Sequence, residues 1–430
     1  MVRKSGIKFT EAGYIPDDWV IKSFDELFTF NGGLTASRDK LSSTGLCYLH
    51  YGDIHKSNKT FVDVFDEFSK LPKLNTEIKK VSNKVLLKDG DTVFVDASED
   101  DEGASKHIVV RNKNEIPFIS GLHTIVCKSK DDSLNNLFKE FCFQSEYIKK
   151  QFKFYSAGTK VCGVNKNNIK KMLLPIPLKQ EQKLIAKSLS EIGKLLLSIE
   201  KLIDKKEKIK QGTMQQLLTG KKRLPGFSDE WEVKKLIELG YFVSGNGFPI
   251  IYQELNEGEF PFYKVSDFNN IGNEIYMIRA NNYIDEQIRE KLSAKIIPKN
   301  SIIFAKIGAA IFLERKRISS VKCCIDNNMM SYICDVNYLY EKFAYYLYNS
   351  IKLSSLVSAT ALPSLSAKDI GELKINIPIN IDEQKAIANI LTVMDSEIAT
   401  LQQKLEKYKR IKQGMMQELL TGRIRLIWAV

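Results

Sequence analysis

The sequence predicts two α/β (α+β) globular domains in tandem, each followed by a long helix, with the two helices packed antiparallel as an intramolecular coiled coil. Three observations predict this. Glu181-Gln182-Lys183 returns as Glu383-Gln384-Lys385, and the register then holds without a gap to Leu224 and Leu426, as in a tandem repeat. Within each copy, apolar residues step by alternating three and four, the spacing of a coiled-coil seam. Outside the copies, short β-branched runs bounded by Gly, Asp and Asn read as strands, and each domain closes on a helical stretch.

The first domain is assigned to 1–175. Its strand candidates are 91–95, 107–110 and 124–127, and 134–151 reads as helix. The second, 223–376, offers 301–305 and 310–313 as strands and 337–355 as helix. The domains correspond in order: a Gly-rich turn (Asn31-Gly32-Gly33; Ser244-Gly245-Asn246-Gly247), then Tyr51-Gly52-Asp53-Ile54 against Val265-Ser266-Asp267-Phe268. Identity between them is otherwise low, so one scaffold carries two different surfaces. Asp17-Asp18-Trp19 and Asp229-Glu230-Trp231 mark similar starts.

The helices fall in 176–222 and 377–430. The seam of the first includes Leu196, Ile199, Ile203 and Leu217; that of the second includes Ile398, Leu401, Leu405, Tyr408 and Leu419. Pro177 and Pro378 precede the helices, where proline is tolerated. Gly220 and Gly422 stand where a C-terminal glycine stop belongs. About 40 residues at 1.5 Å each give a rod of roughly 60 Å. One apolar stripe cannot be buried alone, so the two rods are expected to cover each other. Gly212 and Gly414 interrupt good helix in the same slot of both copies, which predicts close helix–helix approach there.

At 430 residues, with 43% hydrophobic and 27% charged, the chain has the composition of a globular protein of two to four domains. Its net charge of +12 favours an anionic partner, with nucleic acid foremost. Nine of those net charges fall on the repeated segments, where lysines serve as a solvated face, follow phosphates or meet an acidic partner. No signal peptide is visible, and the longest apolar run, 301–313, is too short for a bilayer and contains Lys306. Seven cysteines without a CxxC pair and four histidines without HxxxH argue against zinc and for reduced thiols in a cytoplasm. Nucleotide-binding loops and the Asn/Asp-Pro-Pro-aromatic, GxSxG and HExxH motifs are absent. Glu181-Gln182-Lys183 and its copy match the ExK fragment of metal-dependent nucleases, but an acid at a helix start also suits the dipole, and helix start is the preferred reading.

Sequence reading by a protein needs side chains with hydrogen-bonding forks on loops or strand ends. In the first domain Arg38, Lys40, His55, Lys56, Lys106, His107 and Lys160 qualify. In the second Lys306, Arg315, Lys316, Arg317, Lys322, Asn327 and Asn328 do. Arg315-Lys316-Arg317, between two predicted strands, is the best single candidate for a phosphate or a guanine edge.

The whole chain resembles the specificity subunit of type I restriction-modification systems. The residues that carry the resemblance are the entry to each helix (174–185 and 375–387), the exit Lys-Gln-Gly-x-Met-Gln-x-Leu-Leu-Thr-Gly (210–220 and, with Met415 and Glu418, 412–422), the Asp-Asp-Trp and Asp-Glu-Trp starts and the Gly-Asp-Ile turn at Gly52. Ser156-Ala157-Gly158-Thr159-Lys160 resembles a loop before the last strand of such domains; its counterpart 358–364 lacks the glycine. The resemblance implies two target-recognition domains reading the halves of a split, asymmetric site in double-stranded DNA. It implies helices that space them and dock two methyltransferase subunits, and a further motor/nuclease pair. S-adenosylmethionine, ATP and Mg²⁺ would serve those partners, with no cofactor, metal, catalytic residue or membrane contact in this chain. Half-sites about one helical turn apart, roughly 34 Å, fit a rod of this length. The other reading of the same features is a two-headed protein-interaction scaffold on a coiled coil.

Overall fold

A computed structural model describes residues 6–11, 13–98, 106–156, 162–357 and 362–426. Lys160 and most of the loop around it lie outside the described residues. The chain divides into two compact units, Met1–Glu200 with Lys404–Val430, and Lys201–Gln403. Each unit therefore takes the first half of the helix that follows its own domain and the second half of the other helix.

In the first unit a five-stranded sheet is built from β1 (Phe28–Gly32), β2 (Phe61–Asp63), β3 (Thr92–Val95), β4 (His107–Arg111) and β5 (Thr124–Ser129). Its order is β1-β5-β3-β4-β2, antiparallel except for β4 against β2. β3 is buried on both faces, as the alternation of a strand requires. Val93 and Val95 enter a core with Leu49, Ile54 and Phe118, while Phe94 enters another with Phe24, Phe28, Phe143 and Phe152.

The second unit repeats the plan with β6 (Gly240–Ser244), β7 (Tyr276–Met277), β8 (Ile302–Ala305), β9 (Lys316–Ser319) and β10 (Met329–Cys334). The order β6-β10-β8-β9-β7 is the same walk, again parallel only at the last pair. Ile303 and Ala305 face one core, Ile302 and Phe304 the other. Two divergent sequences thus share one topology.

Some expectations need correction. Residues 310–313 are not a strand: Ala309–Leu313 is a 3₁₀ turn between Gly308 (φ +80°) and Glu314 (φ +52°), burying Ile311 and exposing Phe312 and Leu313. The stretch 134–151 is two helices, Asn136–Cys142 and Glu146–Tyr155, the second capped by the Ser145 hydroxyl. The stretch 337–355 is Glu341–Ser350 followed by a 3₁₀ turn, Leu353–Leu356.

The repeated helices are α1 (Lys179–Leu217) and α2 (Ile381–Leu419). Gly220 and Gly422 adopt φ of +70° and +71°, and the turn lets Lys222 N–H reach Gln216 O and Ile424 N–H reach Glu418 O. Within each unit the helix halves run antiparallel. Ile185, Ala186 and Leu189 of α1 share a core with Leu419 and Leu420, and Leu217 and Leu218 share one with Ile387, Ala388 and Leu391. Along the seam Leu196, Ile199, Leu217, Ile398 and Leu419 are buried, and Ile203, Leu401, Leu405 and Tyr408 are half-buried. Gly212 and Gly414 do not mark close approach: a Cβ on either would meet nothing within 4 Å.

The Glu-Gln-Lys copies are structural anchors. Glu181, 3% exposed, accepts hydrogen bonds from Trp19 Nε1 (3.0 Å) and from Arg425 Nε and Nη2 (2.7 and 2.8 Å); Arg425 also grips Asp18. Glu383, 1% exposed, accepts from Arg223 (2.7 and 2.8 Å) and Trp231 Nε1 (3.4 Å). Gln182 and Gln384 each accept from the first backbone N–H of a domain helix (Asn135, Tyr340) and donate to the carbonyl of the preceding proline. Each anchor thus joins the tryptophan that opens a domain, the acid that opens a helix and the arginine that follows the end of the other helix.

The two helix pairings differ in two charged contacts. In the second unit Lys206 pairs with Glu397 at 2.6 Å, and Lys210 with Asp395, which also accepts Tyr346 OH at 2.7 Å. In the first unit the Lys206–Glu397 pair falls on Tyr408 and Leu195, and the Lys210–Asp395 pair on Lys412 and Gly193. Lys412 has no carboxylate partner among the described residues, and burial alone holds its pKa below the ordinary lysine range.

Candidate nucleic-acid interface

Both sheets have a near end, tied through Gln182 or Gln384 to a long helix, and a far end. In the first unit β5 runs from Thr124 at the far end to Ser129 at the near end, so residues beside Gly33, Val95, His107 and Thr124 gather at the far end. The Gly-rich turns sit there as backbone crossings. A Cβ on Gly33 would lie 1.7 Å from Gly121 O, and one on Gly245 2.0 Å from Asp326 O. They allow two chain segments to touch.

At the far end of the first domain the short helix Tyr51–Lys56 is capped by His50, whose Nδ1 accepts Gly52 N–H at 3.0 Å. Burial holds the His50 pKa below the usual histidine range, with Asp53 opposing and Arg38 assisting. A neutral acceptor is what the cap needs. The Tyr51 ring lies against His50 (4.6 Å between centroids) and meets His123 edge-on at 5.4 Å. Asp53 accepts Arg38 Nη2 at 2.6 Å, and His123, at φ +57°, sits with Nδ1 3.4 Å from Asp96. Lys106 Nζ donates to His55 O. Arg38, His55, Lys56 and Lys106 are therefore brought together, and Lys40 is exposed on the same turn as Arg38. His107 is not: it is 5% exposed and walled by Phe94 and Phe143 at 5.4 and 5.3 Å, which removes it as a surface contact. Tyr51, His50 and His123 were missed, since only the fold brings residue 123 beside residue 51.

In the second domain Lys306, Asn327 and Asn328 meet at the far end. Lys306 Nζ lies 3.3 Å from Ser244 Oγ, and Asn328 is held by Asp326, whose pKa burial raises. Arg315 reaches Asn269 Oδ1 at 2.6 Å, on the turn that corresponds to Tyr51–Lys56. The expected Arg315-Lys316-Arg317 tip does not exist. Lys316 is 1% exposed, paired with Glu314 and donating to Ile351 O at 3.0 Å. Arg317 donates to Asn273 O and Lys316 O. Both begin a strand, so their charge is spent inside the domain. Lys322 is exposed but follows Ser319, at the near end of the sheet.

The geometry defines a two-domain scaffold that presents, at equivalent far ends, two different sets of polar and cationic side chains. Comparison with known proteins gives the class. The family model described as the type I restriction modification DNA specificity domain matches residues 16–211 and again 228–410. Among curated relatives, the type I restriction enzyme MjaIX specificity subunit of Methanocaldococcus jannaschii is 22% identical over 97% of this chain and 96% of its own length. The MjaVIII specificity subunit of the same organism is 27% identical over 66% of this chain and 70% of its own. The crystal structure of the S subunit of a type I system from M. genitalium shares the fold, with a TM-score of 0.55 and 18% identity over 93% of this chain and 96% of that one. The chain belongs to the type I restriction-modification DNA specificity family. It is a specificity subunit with two DNA-specificity domains in tandem.

Proposed function

We propose that each far end reads one half of a bipartite, asymmetric DNA site in the major groove, using Arg38, Tyr51, His55 and Lys106 in one domain and Lys306, Arg315, Asn327 and Asn328 in the other. The observation that carries this reading is one sheet walk, used twice, ending in different hydrogen-bonding groups. Arginine favours guanine and asparagine favours adenine in direct readout, so dissimilar far ends select dissimilar half-sites. The helices dock two methyltransferase subunits, which use S-adenosylmethionine on adenine, and motor/nuclease subunits join with ATP and Mg²⁺, all in the cytoplasm. This chain supplies specificity and no reacting group. No helix among the described residues is long and apolar enough to cross a membrane.

The test is to express the chain with its methyltransferase subunits and map methylated adenines. A split motif that appears with the parent and relaxes in one half with Arg38→Ala, and in the other half with Lys306→Ala plus Asn328→Ala, supports the assignment. Methylation without a split motif, or variants that leave both halves unchanged, overturns it.

A further inference from the structure

A cleft of about 650 Å³ opens in the first domain between residues 54–60 and the helix Glu146–Tyr155. Five lysines line it: Lys59, Lys106, Lys149, Lys150 and Lys153, the last three on one helix, against a single carboxylate, Glu146. Glu146 is 3.9 Å from Lys150, and Lys59 is engaged by Glu67. Lys149 and Lys153 have no carboxylate partner among the described residues and are exposed. The helix is pinned by Ile148 and by Phe152, whose ring lies 5.4 Å from Phe94 in the core, so its lysine face is held rather than free to collapse. Lys106 belongs both to this cleft and to the far-end cluster around Tyr51, which makes the two surfaces continuous. A second cleft of the same unit, about 570 Å³, sets Asp63, Asp66, Asp89 and Glu140 against Arg111, Lys113 and Lys194 and so offers an anion no net positive charge.

Among the described residues the second domain has no counterpart. Asn136–Cys142 and Glu341–Ser350 are equivalent, because the residue before each donates its N–H to the same glutamine of the repeat. In the first domain the lysine helix follows; in the second only the turn Leu353–Leu356 does. The asymmetry matches the charge, +5 for residues 1–180 against −2 for the sequence outside 1–180 and the two repeated segments.

The geometry points to this cleft as a DNA-backbone track: successive phosphates of one strand, running off the half-site read by the first domain, lie against Lys149, Lys150 and Lys153. This rests on the reading that the far end meets DNA. It adds that the first domain carries most of the sequence-independent, salt-dependent grip, while the second contributes discrimination with little of it. Each neutralised phosphate contributes about 0.9 to the slope of log K against log salt.

The experiment uses the full-length chain in complex with its methyltransferase subunits and a random-sequence 40-bp duplex, titrated by anisotropy at several KCl concentrations. With Lys149→Gln/Lys150→Gln/Lys153→Gln the slope is expected to fall by about 2 to 3, with the methylated motif unchanged. A control, Lys79→Gln/Lys80→Gln/Lys84→Gln, removes three exposed lysines that do not line the cleft and should leave the slope alone. A cleft variant with the parental slope, or a control that lowers it equally, overturns the track, including the case in which the lysines serve an acidic protein. Because the duplex is random, this outcome is independent of whether a split motif exists. Equal melting temperatures of parent and variant exclude misfolding.

Discussion

Gly193→Asp should stabilise the first unit. Lys412 is a half-buried cation without a carboxylate partner among the described residues, and a Cβ built on Gly193 lies 4.0 Å from its Nζ with nothing closer. An aspartate there restores the pairing that Asp395 gives Lys210 in the second unit. Two contributions add. Replacing a helical glycine by aspartate gains about 0.3–0.5 kcal/mol in propensity. A partly screened ion pair gains a further ~0.5–1 kcal/mol. The sum, about 1 kcal/mol, raises the melting temperature of a unit this size by about 2–4 °C. Gly193→Asn separates the two, because it gives the propensity without the charge. Calorimetry at pH 7 should rank Asp above Asn above Gly, with the Asp–Asn gap shrinking in 1 M salt. The pH dependence has a definite sign. The folded pKa of Lys412 is lowered, so the parent carries its full penalty at neutral pH and recovers stability only as pH rises toward the ordinary lysine range. Gly193→Asp should abolish that alkaline recovery. A variant that melts no higher than Gly193→Asn would refute the reasoning.

Other outcomes follow from the same contacts. Arg425→Ala strands Glu181 and Asp18 and should cost about 3–5 kcal/mol in denaturant unfolding; Arg223→Ala should cost less, because its side chain is 28% exposed against 3% for Arg425. Lys316→Ala removes a buried, paired cation and should lower stability by a similar amount while the methylated motif stays the same; a changed motif with unchanged stability would contradict its placement. The His50 cap needs a neutral ring and its folded pKa is lowered, so its contribution is full above the ordinary histidine range and is lost as pH falls through it toward the folded value. The protection factor of the Gly52 amide, with the intrinsic pH dependence of exchange divided out, should fall on acidification, and His50→Ser, which caps by its hydroxyl, should remove that dependence.

What the sequence could disclose depended on the range of the physics involved. The helices were legible because a seam of alternating three- and four-residue steps, a leading proline and a closing glycine are all local. The central strands were legible because residues such as Thr92–Val95 are buried on both faces and read as unbroken apolar runs. Residues 310–313 are an equally apolar run, but the backbone at Gly308 and Glu314 turns them into a 3₁₀ segment. Arg315-Lys316-Arg317 looked like a solvated tip because a run of charges usually is one; the acceptors that enclose Lys316 and Arg317 include Ile351 and Asn273, dozens of residues away. The cluster around Tyr51 was half legible. Arg38, His55 and Lys106 stood out as polar groups near turns, whereas His123 enters through tertiary folding alone.

The division of the chain also sets an order of birth. The unit Lys201–Gln403 is continuous and can close as soon as its last residue clears the ribosome. The other unit begins first yet waits for Arg425, which meets Asp18 across 407 residues. At ordinary translation speeds of about 5–20 residues per second, the amino-terminal domain stays unfinished for roughly ten seconds or more after its own residues are made. Through that interval Ile185 and Leu189 lack the cover that Leu419 and Leu420 later provide. The part of the molecule made first is thus the last to be completed.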